Sequence, residues 1–159
     1  MIRLLTMSDA HVAVIKRWPP YPPAFAELDY ALRDDGWLTE FYGRPHNCCE
    51  VALACGDLIG FTMLLKTRED EAEYRIALRA DQVGRGHGMA ITRMVLERAF
   101  AEMGLSRIHL IVRKANPRAR RLYEKLGFCA VGESIVAIQG EPVAFIEMDI
   151  RPQAVPNRS

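Results

Sequence analysis

Gln82-Val83-Gly84-Arg85-Gly86-His87-Gly88-Met89-Ala90 is the stretch whose reading decides the fold. Its glycines alternate, and apolar residues at helical spacing begin at once behind them. Ahead of it, Tyr74 to Ala80 reads as a strand. Strand, glycine turn and helix start together form an anion-binding device. Glycine lets the backbone approach a ligand closely and take positive φ. The first helical turn presents N–H groups without intrahelical partners, at the positive end of the helix dipole. A diphosphate is the natural guest. The same residues also fit a bare glycine turn, because short glycine motifs recur by accident.

Two familiar phosphate loops are excluded. A P-loop places Gly-Lys-Ser/Thr at the helix start, and no such triplet is present. A G-x-G-x-x-G/A dinucleotide fingerprint, started at Gly84 or Gly86, puts its third glycine on Met89 or Ile91. A second stretch carries more weight: Asn116-Pro-Arg-Ala119-Arg-Arg-Leu122-Tyr123-Glu-Lys-Leu-Gly127-Phe128, preceded by the apolar run Ile108 to Val112.

Together the two stretches resemble the GNAT superfamily of N-acetyltransferases. Gly86 and Gly88 fill the glycine positions of its pyrophosphate loop, R/Q-x-x-G-x-G/A. Val83 stands at the first position, so the contacts there fall to the backbone. The second stretch fills every position of N-x-x-A-x-x-L-Y-x-x-x-G-F. The likeness is strongest from about Val51 to Phe128.

The resemblance implies an α+β fold, a mixed, partly antiparallel central sheet of about six or seven strands flanked by helices. It also implies acetyl transfer from acetyl-CoA, as co-substrate, to a primary amine on a small molecule or a peptide N-terminus. Direct transfer in a ternary complex is expected. Gly84, Arg85, Gly86, His87, Gly88 and Met89 are expected to surround the pyrophosphate. The backbone of Ile76, Ala77 and Leu78 is expected to pair with the pantetheine arm, as a peptide-like strand would. Asn116 matches the residue that contacts the pantetheine or phosphate arm, and it equally suits a helix N-cap. Tyr123 matches the general acid that protonates the departing thiolate, so it is named as both cofactor-binding and catalytic. Glu73, near the start of the strand before the loop, is the candidate base, with an ordered water path as the alternative. His109 suits a core, surface or catalytic role.

Composition narrows the alternatives. The chain has 159 residues, half of them apolar, and a net charge of +1. That predicts one domain over residues 1–150, with residues 151–159 as a frayed tail. It gives no footprint for nucleic acid or for a polybasic membrane patch. No apolar run approaches a transmembrane length. Met1 to Asp9 is too short and too soon acidic for a signal peptide. Cys48, Cys49, Cys55 and Cys129 form no C-x-x-C pair and no zinc spacing. Buried reduced thiols, no metal and a cytoplasmic chain are expected. A homodimer is one assembly these features allow.

From Trp18 to Tyr42 the chain collects Trp18, Tyr21, Phe25, Tyr30, Trp37, Phe41 and Tyr42 beside Glu27, Asp29, Asp34, Asp35 and Glu40. It reads as a packed helical flap with a solvated acidic face. It also reads as an acceptor wall, with rings for shape and carboxylates for a cationic amine. Helices are expected over Ala10–Trp18, Ala24–Arg33, Gly88–Met103 and Pro117–Leu126. Hairpins are expected around Cys55-Gly56-Asp57 and Gly140-Glu141-Pro142. Two other readings are open: a non-catalytic acyl-CoA-binding regulatory module, and a nucleotide-binding interaction domain.

Overall fold

The computed structural model describes residues 1–32 and 36–154, with only the backbone of residues 24, 25, 27 and 154. Asp34, Asp35, the side chains of Phe25 and Glu27, and most of the expected tail therefore lie outside the described residues. The chain divides into two compact units, Met1–Lys66 with Tyr74–Ile91, and Thr67–Glu73 with Thr92–Ser159. Seven strands follow the order β1-β2-β3-β4-β5-β7-β6. They are β1 (Ile2–Thr6), β2 (Cys48–Ala54), β3 (Asp57–Arg68), β4 (Glu71–Leu78), β5 (Arg107–Arg113), β6 (Cys129–Ile138) and β7 (Glu141–Ile150). The β4–β5 pair is parallel; β1–β2, β2–β3, β5–β7 and β6–β7 are antiparallel. The fold class is the expected one.

In the first unit, α1 (Asp9–Lys16) starts at Ser8, whose side chain accepts from the His11 N–H while His11 Nδ1 accepts from the Ser8 N–H. This reciprocal cap satisfies two orphan donors. Ile15 is buried, whereas Val14 is exposed. The expected helix over Ala24–Arg33 is a 3-10 helix, Pro23–Leu32, and it is followed by a short α2 (Trp37–Phe41) that periodicity did not reveal. Five residues are too few to display a 3.6-residue period. Met7, Ile15, Leu38, Val51, Phe61, Met63 and Ala77 share the core of this unit. Cys55 and Gly56 make the expected β2–β3 turn, both with positive φ, matching the primed turns that two-residue hairpins favour. The turn between β3 and β4 is only Glu69 and Asp70, because both strands run beyond their apolar centres.

The helix α3 (His87–Ala101) buries Ile91, Thr92, Val95, Leu96 and Ala99. Met94 and Phe100 are half-buried, because the inward stripe follows Ile91, Val95 and Ala99 at four-residue steps.

In the second unit, β5 alternates half-buried and buried residues, with Ile108, Leu110 and Val112 inside. β6 pairs with β7 along its length, with an irregularity between Ala130 and Gly132. The β6–β7 turn is Gln139-Gly140, both at positive φ, one residue earlier than expected. Pro142 is accommodated within β7, opposite Ala137.

The end of α4 (Pro117–Lys125) gives the second sequence motif its physical content. Leu126 is the C-cap and Gly127 sits at φ 107°. The Phe128 N–H donates to the Tyr123 carbonyl (3.0 Å), and the Gly127 N–H to the Glu124 carbonyl (3.1 Å). These are the paired bonds of a Schellman cap, and its usual hydrophobic contact is present. The rings of Tyr123 and Phe128 meet edge-on with centroids 5.5 Å apart. Gly127→Ala places a Cβ at positive φ. It is expected to cost about 1 kcal/mol or more. Urea unfolding checks this as a lower midpoint with an unchanged slope.

Candidate active site

The glycine stretch leads into α3. Gly84 and Gly86 hold φ 84° and 83°, a conformation that strains other residues. A Cβ placed on Gly86 would meet no atom within 4 Å. That glycine therefore serves backbone conformation, and the space over it is open. The first helical hydrogen bond runs from the Ala90 N–H to the Gly86 carbonyl (3.3 Å). His87, Gly88 and Met89 thus form the first turn of α3, where N–H groups lack intrahelical acceptors. Gly84, Arg85 and Gly86 are exposed, and His87, Gly88 and Met89 are half-buried. Gly88 lies inside the helix, so its left-handed freedom is not used.

Ile76, Ala77 and Leu78 close β4 in the same unit. The Leu78 carbonyl accepts a short hydrogen bond from the buried Tyr21 hydroxyl. Burial, and secondarily the charge of Asp29, push the Tyr21 phenol well above its ordinary range. At Gly60 a Cβ would lie 2.9 Å from the Ala77 carbonyl and 2.8 Å from Leu78 Cδ2. Gly60 is therefore required for the close approach of β3 to the end of β4.

The expected acceptor wall is partly occupied by the chain's own cations. The Arg75 guanidinium lies 4.9 Å from the Phe41 ring centroid and 5.6 Å from that of Trp37. Arg44 lies 5.6 Å from Phe41. Trp37 and Trp18 both meet buried Phe61, at 5.2 and 6.2 Å. These aromatics form a packed edge of the first unit's core as much as a free surface.

In the second unit, Asn116 is the N-cap of α4: its Oδ1 accepts from the Ala119 N–H at 3.1 Å, and Pro117 follows at the first helical position. This leaves the Asn116 side-chain NH₂ available as a donor. Burial pushes the Tyr123 phenol up to about 12. It therefore keeps its proton throughout the physiological range.

The ladder between β4 and β5 runs through Glu71↔Arg107, Ala72↔Ile108 and Glu73↔His109. Arg107 donates to Glu71 (3.0 Å) and Asp149 (2.7 Å), a half-buried ion-pair network. His109 Nε2 lies 2.9 Å from Thr67 Oγ1. Desolvation, then the Arg107 charge, lower the His109 pKa, so its imidazole is neutral near pH 7. A cavity of about 430 Å³ lies elsewhere in this unit, lined by Lys114, Glu133, Ser134, Ile135, Ala144 and Phe145. It contains none of the residues nominated from sequence.

The model of the acetyltransferase (GNAT) family matches residues 13–128. The chain belongs to the GNAT family of acetyltransferases. It is 32% identical over 140 residues to the spermidine N(1)-acetyltransferase of Escherichia coli K12, a match covering 83% of this chain and 69% of that protein. The fold is shared with a chimeric spermidine N-acetyltransferase made from the Vibrio cholerae enzyme SpeG and hSSAT: TM-score 0.79, 22% identity, 94% of this chain and 95% of that one. It is also shared with the Vibrio cholerae spermidine N-acetyltransferase solved with CoA and spermine: TM-score 0.75, 20% identity, 96% of each chain. This GNAT protein is an acetyl-CoA-dependent N-acetyltransferase.

Two features escaped the sequence reading. Tyr21, seen only as one ring among many, holds the carbonyl end of β4; nothing local to Pro-Pro-Tyr-Pro-Pro points to a partner 57 residues away. The thiols were expected to be buried, yet Cys55 and Cys129 are exposed and Cys48 and Cys49 half-buried. Turn geometry places Cys55, which takes φ 51° in a hairpin loop. Among the described residues, no cluster of three His, Cys, Asp or Glu side chains could hold a metal ion, and no helix is long and apolar enough to cross a membrane. Tyr21→Phe strips the Leu78 carbonyl of its buried donor. The variant is expected to lose about 1–3 kcal/mol of stability, measurable by chemical denaturation.

Proposed function

We propose that this enzyme transfers the acetyl group of acetyl-CoA directly to a primary amine of a small molecule, with both substrates bound at once. The observation that carries this reading is Tyr123. It is the phenol of a completely filled family motif, anchored on a capped helix and kept protonated by burial. The curated relatives are named for spermidine, which favours a small-molecule acceptor over a peptide and makes polyamines the first acceptors to assay.

The pyrophosphate sits on Gly84 to Met89. Support comes from the two left-handed glycines, the open space above Gly86 and the first turn of α3 behind them. Arg85, exposed beside them, supplies a screening charge. The pantetheine arm takes backbone groups of Ile76 and Ala77, with Leu78 braced by Tyr21. Asn116 is assigned to the cofactor by its place in the motif, and its amide NH₂ can donate while its oxygen caps α4.

In the chemical step the neutral amine attacks the thioester carbon, the C–S bond breaks, and the amine loses a proton. Glu73 accepts that proton, directly or through water; its support is a half-buried place opposite the neutral His109. Tyr123 donates to the sulfur as negative charge develops there. Full proton transfer from a phenol near 12 to an ordinary thiolate is uphill by about 5 kcal/mol. Tyr123 therefore acts chiefly by hydrogen bonding, which strengthens in the transition state. Binding both substrates in reacting geometry supplies much of the remaining rate.

Tyr123→Phe keeps the ring packed on Phe128 and removes only the hydroxyl. With spermidine and a panel of simple primary amines, kcat is expected to fall by about a hundredfold, with acetyl-CoA affinity and thermal stability nearly unchanged. A near-normal kcat, with chemistry rate-limiting, would make Tyr123 a packing residue. Failure of the native enzyme to acetylate any amine would overturn the reading as a whole.

A further inference from the structure

We infer that Arg79 is a positioning residue for acetyl-CoA: it fixes the phosphate loop from behind, through a carboxylate on each side. This rests on the reading of Gly84 to Met89 as the pyrophosphate site.

Arg79 follows β4 directly and precedes the 3-10 turn Ala80–Gln82, from which the chain enters the glycine stretch. Every N–H of its guanidinium is engaged. Nε donates to Asp81 Oδ1 (2.6 Å) and one Nη2 proton to Asp81 Oδ2 (3.1 Å). The other Nη2 proton goes to Asp57 Oδ2 (2.9 Å), while Nη1 donates to Asp57 Oδ1 (3.0 Å) and to the Leu58 carbonyl (3.1 Å). Both forks of the planar group, side-on and end-on, hold a carboxylate at once, a geometry lysine cannot reproduce. The backbone is equally tied: the Arg79 N–H donates to the Ile59 carbonyl (2.7 Å), and the Arg79 carbonyl accepts from the Gln82 N–H (2.8 Å).

The three anchors have different addresses. Asp57 and Leu58 begin β3, beyond the β2–β3 turn, and Asp81 lies in the segment that leads to Gly84. Arg79 thus clamps the entry of the loop to a hairpin that contributes no residue to it. The guanidinium is mostly covered, with 18% of the side chain exposed, whereas Asp57 and Asp81 are 59% and 60% exposed. Arg79 holds both carboxyls below the usual range, so the clamp stays charged at neutral pH.

An exposed pair of this kind contributes little to global stability. Its effect is local. Gly84 and Gly86 have broad conformational freedom, and without a fixed entry the first-turn N–H groups converge on one phosphate position only part of the time. A ligand that must first select the competent loop binds more weakly by the fraction in which that loop is populated. The acceptor amine does not read this loop, so the two substrates respond differently.

The test is calorimetric acetyl-CoA binding together with steady-state kinetics on the intact enzyme, for Arg79→Gln, Arg79→Lys, Asp57→Asn and the loop control Gly86→Ala. The expected result is an acetyl-CoA Kd and KM raised about tenfold in Arg79→Gln, no rescue by Arg79→Lys, and a smaller rise in Asp57→Asn. The acceptor KM and kcat are expected to stay within about twofold, whereas general destabilisation would lower the active fraction and kcat. If Arg79→Gln fails to fold, exposed Asp57→Asn carries the decision alone. Weakened binding in Gly86→Ala but native binding in folded Arg79→Gln and Asp57→Asn overturns the clamp. Native binding in Gly86→Ala overturns the loop reading and the clamp with it.

Discussion

The site depends on one constraint: helix ends leave backbone groups that nothing within the helix can satisfy. At the start of α3 the chain turns through Gly84 and Gly86 in left-handed geometry and brings first-turn N–H groups to an open surface. At the end of α4 the opposite solution is used. Gly127 and Phe128 fold back so that the last carbonyls, including that of Tyr123, are satisfied internally. One end keeps its donors available for a ligand; the other is sealed so that a single side chain stays in place. Both need glycine at positive φ, and both are written as short spacings that a reader of the sequence can recognise.

That is why the two motifs were legible and their surroundings were not. Gly86 announces its conformation by being glycine, and Asn116-Pro117 announces a helix start by the cap and the fixed φ of proline. The Leu122-to-Phe128 segment could be read as a catalytic signature, but not as a Schellman cap with an edge-on ring contact. Its hydrogen bonds run between backbone atoms and carry no side-chain label. β5 carries the apolar run Ile108 to Val112 that the sequence displays, with one arginine added at each end. β4, read as Tyr74 to Ala80, runs instead from Glu71 to Leu78, because charged Glu71 and Glu73 pair with Arg107 and His109 through the backbone regardless. The 3-10 helix at Pro23–Leu32 was taken for an α-helix because composition there does not separate the two.

The aromatic section shows where composition misleads. A run of rings beside carboxylates suggests a surface awaiting a cationic amine. Folded, the Phe41 and Trp37 rings carry Arg75 from β4, and Phe41 also meets Arg44. Trp18 and Trp37 lean on Phe61 in the core. The cations that use these faces come from elsewhere in the chain, up to 38 positions from Trp37. No local pattern of Trp18 to Tyr42 records this, because the partner is set by tertiary packing. The wall that composition suggests therefore already holds a guanidinium on two of its rings.

Burial works in opposite directions on two titratable groups of the second unit. It raises the Tyr123 phenol and lowers the His109 imidazole. Both groups are thereby held neutral: a covered phenol resists losing a proton, and a covered imidazole resists gaining one. Neither therefore carries a charge near pH 7, although each can still donate or accept a hydrogen bond. The polar network beside His109 limits this freedom. Arg107 is tied between Glu71 and Asp149, so its positive charge is fixed near His109 and reinforces the neutral imidazole. Glu73 occupies the next position along β4 on the same side as Glu71 and opposite His109. Glu73, the carboxylate nominated from sequence, thus stands in the ladder opposite an imidazole that burial and Arg107 keep uncharged.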